Sequence, residues 1–192
     1  MPAPYEIFAT GTGEVWLAPT GTADPAIDVA LAPPWVELGT AGPDDFTEDG
    51  IVITKATENN EVYANGVYGV RKVFRTRENL KIALTLMDLT LEALSAAFNQ
   101  TPVTVVPGPP AEKTMPLLEG SATPTQRAMV IRVPDLSPYM DGGVLQFFIP
   151  LVYQTGSPEI ALKKSDPAGL ALEFTAIADA ALGFGTVHGQ TA

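Results

Sequence analysis

The sequence predicts a mainly β protein, a β-sandwich or partly closed barrel that is flanked by one α-helix at about residues 89–98. Leucine or isoleucine occupies every second position between residues 80 and 86, which is the period of a β-strand. The period then changes, because Leu91, Leu94 and Phe98 recur at the spacing of one helical face. Most other apolar segments are short and strand-like, so a single helix lies among many strands.

The predicted helix has residues that suit both of its ends. The side chain of Asp88 or Thr90 can cap the first turn, and the charge of Glu92 suits the positive end of the helix dipole. Asn99 suits the end of the helix, because asparagine readily adopts the left-handed backbone conformation found there. The sequence therefore predicts a strand that turns directly into a short helix.

The first half of the chain contains the other early strands. Strands are predicted at residues 14–18, 35–38, 51–54 and 70–76, with loops at 19–34 and 40–49. Residues 55–69 are polar and contain two glycines, Gly66 and Gly69, so they predict a long loop or hairpin.

The second half continues the β pattern. It begins with a proline-rich loop at 102–116 that carries a short apolar piece, and strands follow at 127–133, 144–153 and 170–175, with a further alternation at 159–164. Pro150 interrupts the second of these strands, which favours an edge strand or a bulge. The end of the chain, at about 183–192, has no apolar period and predicts a flexible or docking tail. We expect residues 1–192 to form a single domain.

The charge of the chain is acidic and unevenly distributed. The sequence has 11 basic and 22 acidic residues, a net charge of -11, which argues against a surface that binds duplex phosphates. Residues 1–54 contain no lysine or arginine, whereas residues 71–81 contain five basic residues against Glu78 alone. The chain therefore carries an acidic N-terminal quarter and a basic strand.

The residues that most enzymes use are scarce. Cysteine is absent, which excludes disulfides and thiolate nucleophiles, and the one histidine, His188, lies in the predicted tail, where a general base would be poorly held. A site built from carboxylates alone at residues 44–49 does not match a calcium loop, so a solvated acidic loop is the simpler interpretation. We predict no catalytic, cofactor-binding or metal-binding residues, no secretory signal and no membrane span.

The acidic and basic regions form two complementary surfaces on one chain. Opposite charges at the rim of an interface favour defined docking, and a ring of identical copies needs such a pair of unlike faces. The candidate interface residues are Asp44, Asp45, Glu48 and Asp49 on the acidic side and Arg71, Arg75 and Arg77 on the basic side. The alternative is that the arginines form an ordinary solvated strand face.

The order of elements resembles the tail tube (major tail) proteins of long, non-contractile-tailed bacteriophages. The resemblance covers about residues 14–100 well and the remainder loosely. It is carried by the segments Trp35-Val36-Glu37-Leu38-Gly39, Asp49-Gly50-Ile51-Val52-Ile53, Arg75-Thr76-Arg77-Glu78, the strand–helix unit at 84–94 and the late strand at 170–176.

The resemblance implies a structural virion protein without enzymatic activity, assembled in the host cytoplasm. Its copies would form hexameric rings that stack into a tube. We predict in addition that the excursion at 55–69 and the terminal arms help to stack one ring on the next. The implied partners are a tape-measure protein, a tail terminator and a distal tail protein, while DNA would pass through without specific binding and no membrane would be involved. An acidic bore would repel phosphates, and Glu37 and Glu173 are the lumen-facing candidates, although an outward-facing position suits either one equally.

Two other classes of protein remain open at this point. One is a different ring-forming component, such as a tail terminator or a secreted tube protein, which ring diameter and the ability to form open-ended tubes would separate. The other is a carbohydrate-binding or hydrolytic β-sandwich, which would show a groove with exposed aromatic side chains. Trp16 and Trp35 lie within apolar strands instead, where core packing is the usual role.

Overall fold

The computed structural model describes residues 13–40, 46–63, 65, 68–99, 103–117, 123–137, 139, 142–160 and 169–191, except for the side chains of Glu48 and Asp49. These residues form strands and one short helix. In chain order the elements are β1 (Glu14–Pro19), β2 (Val36–Glu37), β3 (Phe46–Tyr63), β4 (Val70–Leu86), α1 (Leu91–Ala97), β5 (Thr104–Val106), β6 (Glu112–Thr114), β7 (Arg127–Val133), β8 (Leu145–Gln154), β9 (Leu170–Ala176) and β10 (Thr186–Gly189). The alternation predicted at 159–164 falls largely outside the described residues.

One antiparallel sheet of eight strands dominates the fold. Its strand order is β2-β1-β7-β8-β9-β4-β3, with β10 paired to β8, while β5 and β6 form a separate hairpin. The two ends of the path, β2 and β3, do not pair with each other within the described part of the chain, so the barrel is not closed. The prediction of a mainly β fold with one flanking helix is confirmed, as an open, curled sheet.

The main core lies on the inner face of the curled sheet. Alternate side chains of β4 and β9 are buried there, and they are joined by those of β1, β7 and β8. Burial of one face is what produces the period of two in the sequence. The largest fully buried apolar side chains are Phe174, Ile82, Leu86, Met129, Ile131, Leu170 and Leu172.

Helix α1 packs on this core through small side chains. Ala93, Ala96 and Ala97 are buried, whereas Leu91, Leu94 and Phe98, which recur at the spacing of one helical face, are only half-buried. The alanines take the buried positions because their small side chains let the helix backbone approach the sheet closely. Both predicted ends are confirmed: the Thr90 hydroxyl accepts a hydrogen bond from the Ala93 N–H at 3.1 Å, and Asn99 adopts a φ of 56°.

A second, smaller core covers the outer face of β1, β7 and β8. Trp35 packs edge-on against Phe148, with ring centroids 6.3 Å apart, and the loop that precedes Trp35 lies over this face. Arg132 fixes the loop by donating hydrogen bonds to the carbonyl oxygens of Val29 and Ala26, at 2.7 and 2.8 Å. The loop therefore closes this part of the outer face to solvent.

The predicted irregularity at Pro150 is a bulge inside the sheet. The partner of Met129 is Ile149, but the partner of Arg127 is Val152, so β8 contains one extra residue around Pro150. The opposite edge of β8 is shared at this point, because β10 pairs with its first half and β9 with its last residues. A proline, which has no N–H to donate, fits where one neighbour gives way to the next.

The C-terminal segment is docked on the sheet. The sequence predicted either a flexible or a docking tail from residue 183, and the structure shows the docking alternative. Strand β10 pairs with β8, and its side chains reach the outer loop. The Thr186 hydroxyl donates to Asp24 Oδ2 at 2.8 Å, and His188 Nε2 lies 2.8 Å from the same oxygen. The only histidine of the chain thus ties two surface segments together, and its Nε2 also lies 3.1 Å from the Thr186 hydroxyl.

Candidate assembly surface

The segment 55–69, predicted as a long loop or hairpin, forms together with the residues up to 79 a two-stranded ribbon, which we call the ribbon (residues 55–79, described at 55–63, 65 and 68–79). Its arms are the outer parts of β3 and β4, so the strands predicted at 51–54, 70–76 and 80–86 belong to two much longer strands. The pairing of β4 with β9 begins only at Lys81, and beyond that point the described residues of the two arms pair only with each other. The ribbon therefore projects from the sheet.

The ribbon exposes apolar side chains without belonging to either core. An isolated two-stranded hairpin is marginally stable in water, and a concentrated exposed apolar patch usually marks an interaction site. The exposed apolar residues of the ribbon are Val62, Tyr63, Tyr68, Val70, Val73 and Phe74. A partner surface that covered these side chains would therefore stabilise the ribbon.

A bulge gives the ribbon two chemically different faces. Residues directly opposite each other on paired strands share a face. Arg77 lies opposite Glu58 and Arg75 opposite Asn59, with a register shift between the two pairs. Because β4 has an extra residue there, Arg75 and Arg77 point to opposite faces, although strict alternation predicted a common face.

The first face, which we call the paired face, carries Arg75 and neutralises its own charges. Arg75 Nη1 lies 2.6 Å from Glu78 Oε1, and Lys55 Nζ lies 3.6 Å from the same oxygen; both contacts are ion pairs and not aligned hydrogen bonds. On the same face the Tyr63 hydroxyl donates to Glu61 at 2.6 Å, and this hydrogen bond raises the pKa of Tyr63.

The second face, which we call the open face, carries Arg77, Lys72 and Phe74. The Lys72 ammonium lies 4.7 Å from the centre of the Phe74 ring, so a cation and an exposed aromatic form one patch. Within the described part of the chain, neither Lys72 nor Arg77 has an acidic group within ion-pair distance. Arg71, the extra residue of a second bulge, likewise has none there.

The acidic interface candidates are not located by the structure. Asp44 and Asp45 lie outside the described residues. Glu48 and Asp49 belong to β3, at a register shift between Phe46 and Ile51, but their side chains are not described. Their role at a subunit contact stays a prediction.

The two lumen candidates lie at different places in the sheet. Glu37 is on the end strand β2, opposite Trp16, and lines a cleft of 410 Å³ between β1, β2 and α1. Glu173 is on β9, which three strands separate from β2 in the sheet order, and it accepts a hydrogen bond from Lys81 at 2.7 Å. That bond lowers the pKa of Glu173. The structure therefore does not bring the two carboxylates together.

Around Glu173 the outer face of β4 and β9 is open and lined by small side chains. Ala83 lies directly opposite Glu173, and Thr85 lies opposite Ala171. A cleft of 320 Å³ runs over this surface. The loop that covers β1, β7 and β8 does not cover it, so this part of the outer face is open among the described residues.

The described residues contain no group of three or more histidine, aspartate or glutamate side chains placed to hold a metal ion. Their one helix is far too short to cross a membrane.

The comparison with known families agrees with this architecture. A family model described as "Phage tail tube protein" matches residues 3–184, which include the sheet from β1 to β9, the helix and the ribbon. A search of curated proteins finds no significant match. Because the family model spans nearly the whole chain, the protein belongs to the phage tail tube protein family.

Proposed function

We propose that this structural tail protein, as a single domain, assembles into hexameric rings that stack into the tube of a long non-contractile phage tail, and that the tube conducts DNA at infection. The observation that carries the proposal is the ribbon, which exposes apolar and charged side chains on both faces and belongs to neither core. A surface of that kind is stabilised when another copy covers it.

The open sheet supports the same proposal. Strands β2 and β3 lie at the two ends of the sheet, and unpaired strand edges are sites where further chains add. If the sheets of six copies joined into one continuous barrel, the edge strands would be paired. Because the barrel is closed, no edge would remain to recruit further copies into the same ring. By family resemblance, the tape-measure protein would fill the bore, and a tail terminator and a distal tail protein would close the ends, in a virion assembled in the host cytoplasm.

Negative-stain electron microscopy of the purified protein at increasing concentration tests the assembly. We expect rings of six subunits and, at higher concentration, open-ended tubes. Closed rings that never stack would favour a terminator-like component. A protein that remains a monomer at every concentration and salt would contradict the proposal.

We further propose that the open outer face of β4 and β9, with Glu173, lines the bore. Lys81 lies on this surface, and its ammonium is already bound to Glu173 at 2.7 Å, so a passing phosphate would meet a neutralised cation at that point. The neighbouring alanine and threonine side chains are too short to grip a passing DNA strand. Glu37 lies beside the helix cleft and is proposed to face away from the bore.

The absence of cysteine from the sequence makes the position of the bore testable. In assembled tubes, the thiol of Ala171→Cys is expected to react with a small maleimide but only slowly with a maleimide on a large polymer, because the polymer cannot enter. The same variant before assembly should react with both reagents and is the matched control. Equal polymer labelling of tubes and free subunits would contradict the assignment.

A further inference from the structure

The ribbon holds a positive charge that the rest of the molecule is suited to complement. Residues 55–79 contain five basic residues (Lys55, Arg71, Lys72, Arg75 and Arg77) and three acidic ones (Glu58, Glu61 and Glu78), a net charge of +2, whereas the whole chain carries -11. The remaining residues therefore carry -13. A second copy of this chain thus offers an acidic body to the basic ribbon of the first.

The two faces of the ribbon use their cations differently. On the paired face, Arg75 and Lys55 both contact Glu78, so their charge is satisfied within the ribbon. On the open face, Lys72 and Arg77 have no ion pair with the described residues and flank the exposed ring of Phe74. The described charges of the open face (Lys72, Arg77 and Glu58) therefore sum to +1, whereas those of the paired face (Lys55, Arg75, Glu61 and Glu78) sum to zero, so the open face is the better match for an acidic partner.

We propose that the open face, with Lys72, Phe74 and Arg77, docks on an acidic surface of a second copy, whereas the paired face makes contacts that depend on shape and apolar burial. This inference rests on the proposed assembly. It adds which face of the ribbon makes the charge-dependent contact. Its physical basis is the bulge, which sends Arg77 to the open face and Arg75 to the paired face.

Matched neutral variants separate the two faces. Arg77→Gln and Arg75→Gln each remove one positive charge from neighbouring exposed positions and keep a similar aliphatic stem. We expect Arg77→Gln to raise the critical concentration for assembly by about tenfold or more, and Arg75→Gln to raise it by less than about threefold. Lys72→Gln should act in the direction of Arg77→Gln.

The salt dependence of assembly gives a readout that a purely structural effect would not change. Salt should raise the critical concentration of the wild-type protein, because it screens charges across the interface, and the slope should be smaller for Arg77→Gln than for Arg75→Gln. Circular dichroism of the unassembled variants checks that the body is folded.

Three outcomes would overturn the proposal. Equal effects of the two arginine variants would remove the distinction between the faces, and normal assembly by Arg77→Gln with an unchanged salt slope would remove the role of its charge. In both cases wild-type tubes would still form and the proposed function would stand. If the wild-type protein forms no assemblies at all, the proposed function fails and this inference fails with it.

Discussion

Replacement of residues 58–77 by Asn-Gly is expected to abolish tube assembly while leaving the body of the protein folded. The change joins Thr57 to Glu78, which are directly opposite each other, through a two-residue hairpin turn that asparagine and glycine favour. No described side chain between 58 and 77 belongs to either core, so the free energy of unfolding should change by less than about 1 kcal/mol. Denaturant unfolding and electron microscopy measure the two effects.

Mixing gives a sharper form of the same experiment. The shortened protein lacks the ribbon but, under the proposed assembly, would keep the surface that receives a ribbon from its neighbour. It should therefore add to the end of a growing wild-type tube and stop further growth, so that tubes become shorter as its proportion rises. Tubes of normal length in every mixture, or normal tubes from the shortened protein alone, would show that the ribbon is not the assembly element.

The sequence predicted those elements in which one face is buried. Strands β7 and β9 and the inner part of β4 were found at nearly the observed bounds, because burial of alternate residues imposes a period of two. Helix α1 was found because its capping residue and its left-handed end have local signals at Thr90 and Asn99. These features depend on neighbours in the chain and on a single core.

The ribbon was underestimated for the same physical reason. Residues 56–63 are exposed on both faces, so no alternation marks them as a strand, and their pairing with β4 depends on partners far along the chain. The sequence indicated a loop or hairpin there but could not extend β3 and β4 through it. Arg75 and Arg77 were placed on one face, because a bulge adds a residue without a local sequence signal.

The candidate site was predicted at the level of regions and not of side chains. The basic residues at 71–77 lie on the projecting ribbon, and their role at a subunit contact stays a prediction. Glu173 was selected as the acidic member of an apolar strand, but its ion pair with Lys81 depends on the alignment of β9 with β4. Such cross-strand partners become visible only when the register is known.

Strand β10 illustrates a contact that depends on one glycine. Gly185 precedes β10 and has a φ of 131°, a conformation that residues with a Cβ rarely adopt. A Cβ at this position would lie 2.0 Å from the carbonyl oxygen of Phe148, in the backbone of β8. Because Gly185 has no side chain, the segment after it can dock on β8. This segment has no apolar period, so the sequence pattern did not predict a strand there.

Substitution of Gly185 by alanine is accordingly expected to destabilise the protein by roughly 2–4 kcal/mol, through backbone strain and the displacement of β10 from β8. Gly183→Ala is the matched control, because Gly183 also has a positive φ, of 62°, but open space where its Cβ would lie. It should cost only about 1 kcal/mol. Denaturant unfolding measures both changes, and hydrogen exchange should show faster exchange of the β10 amides in Gly185→Ala alone. Equal destabilisation by the two substitutions would mean that left-handed backbone geometry, and not the close approach to Phe148, holds the chain end in place.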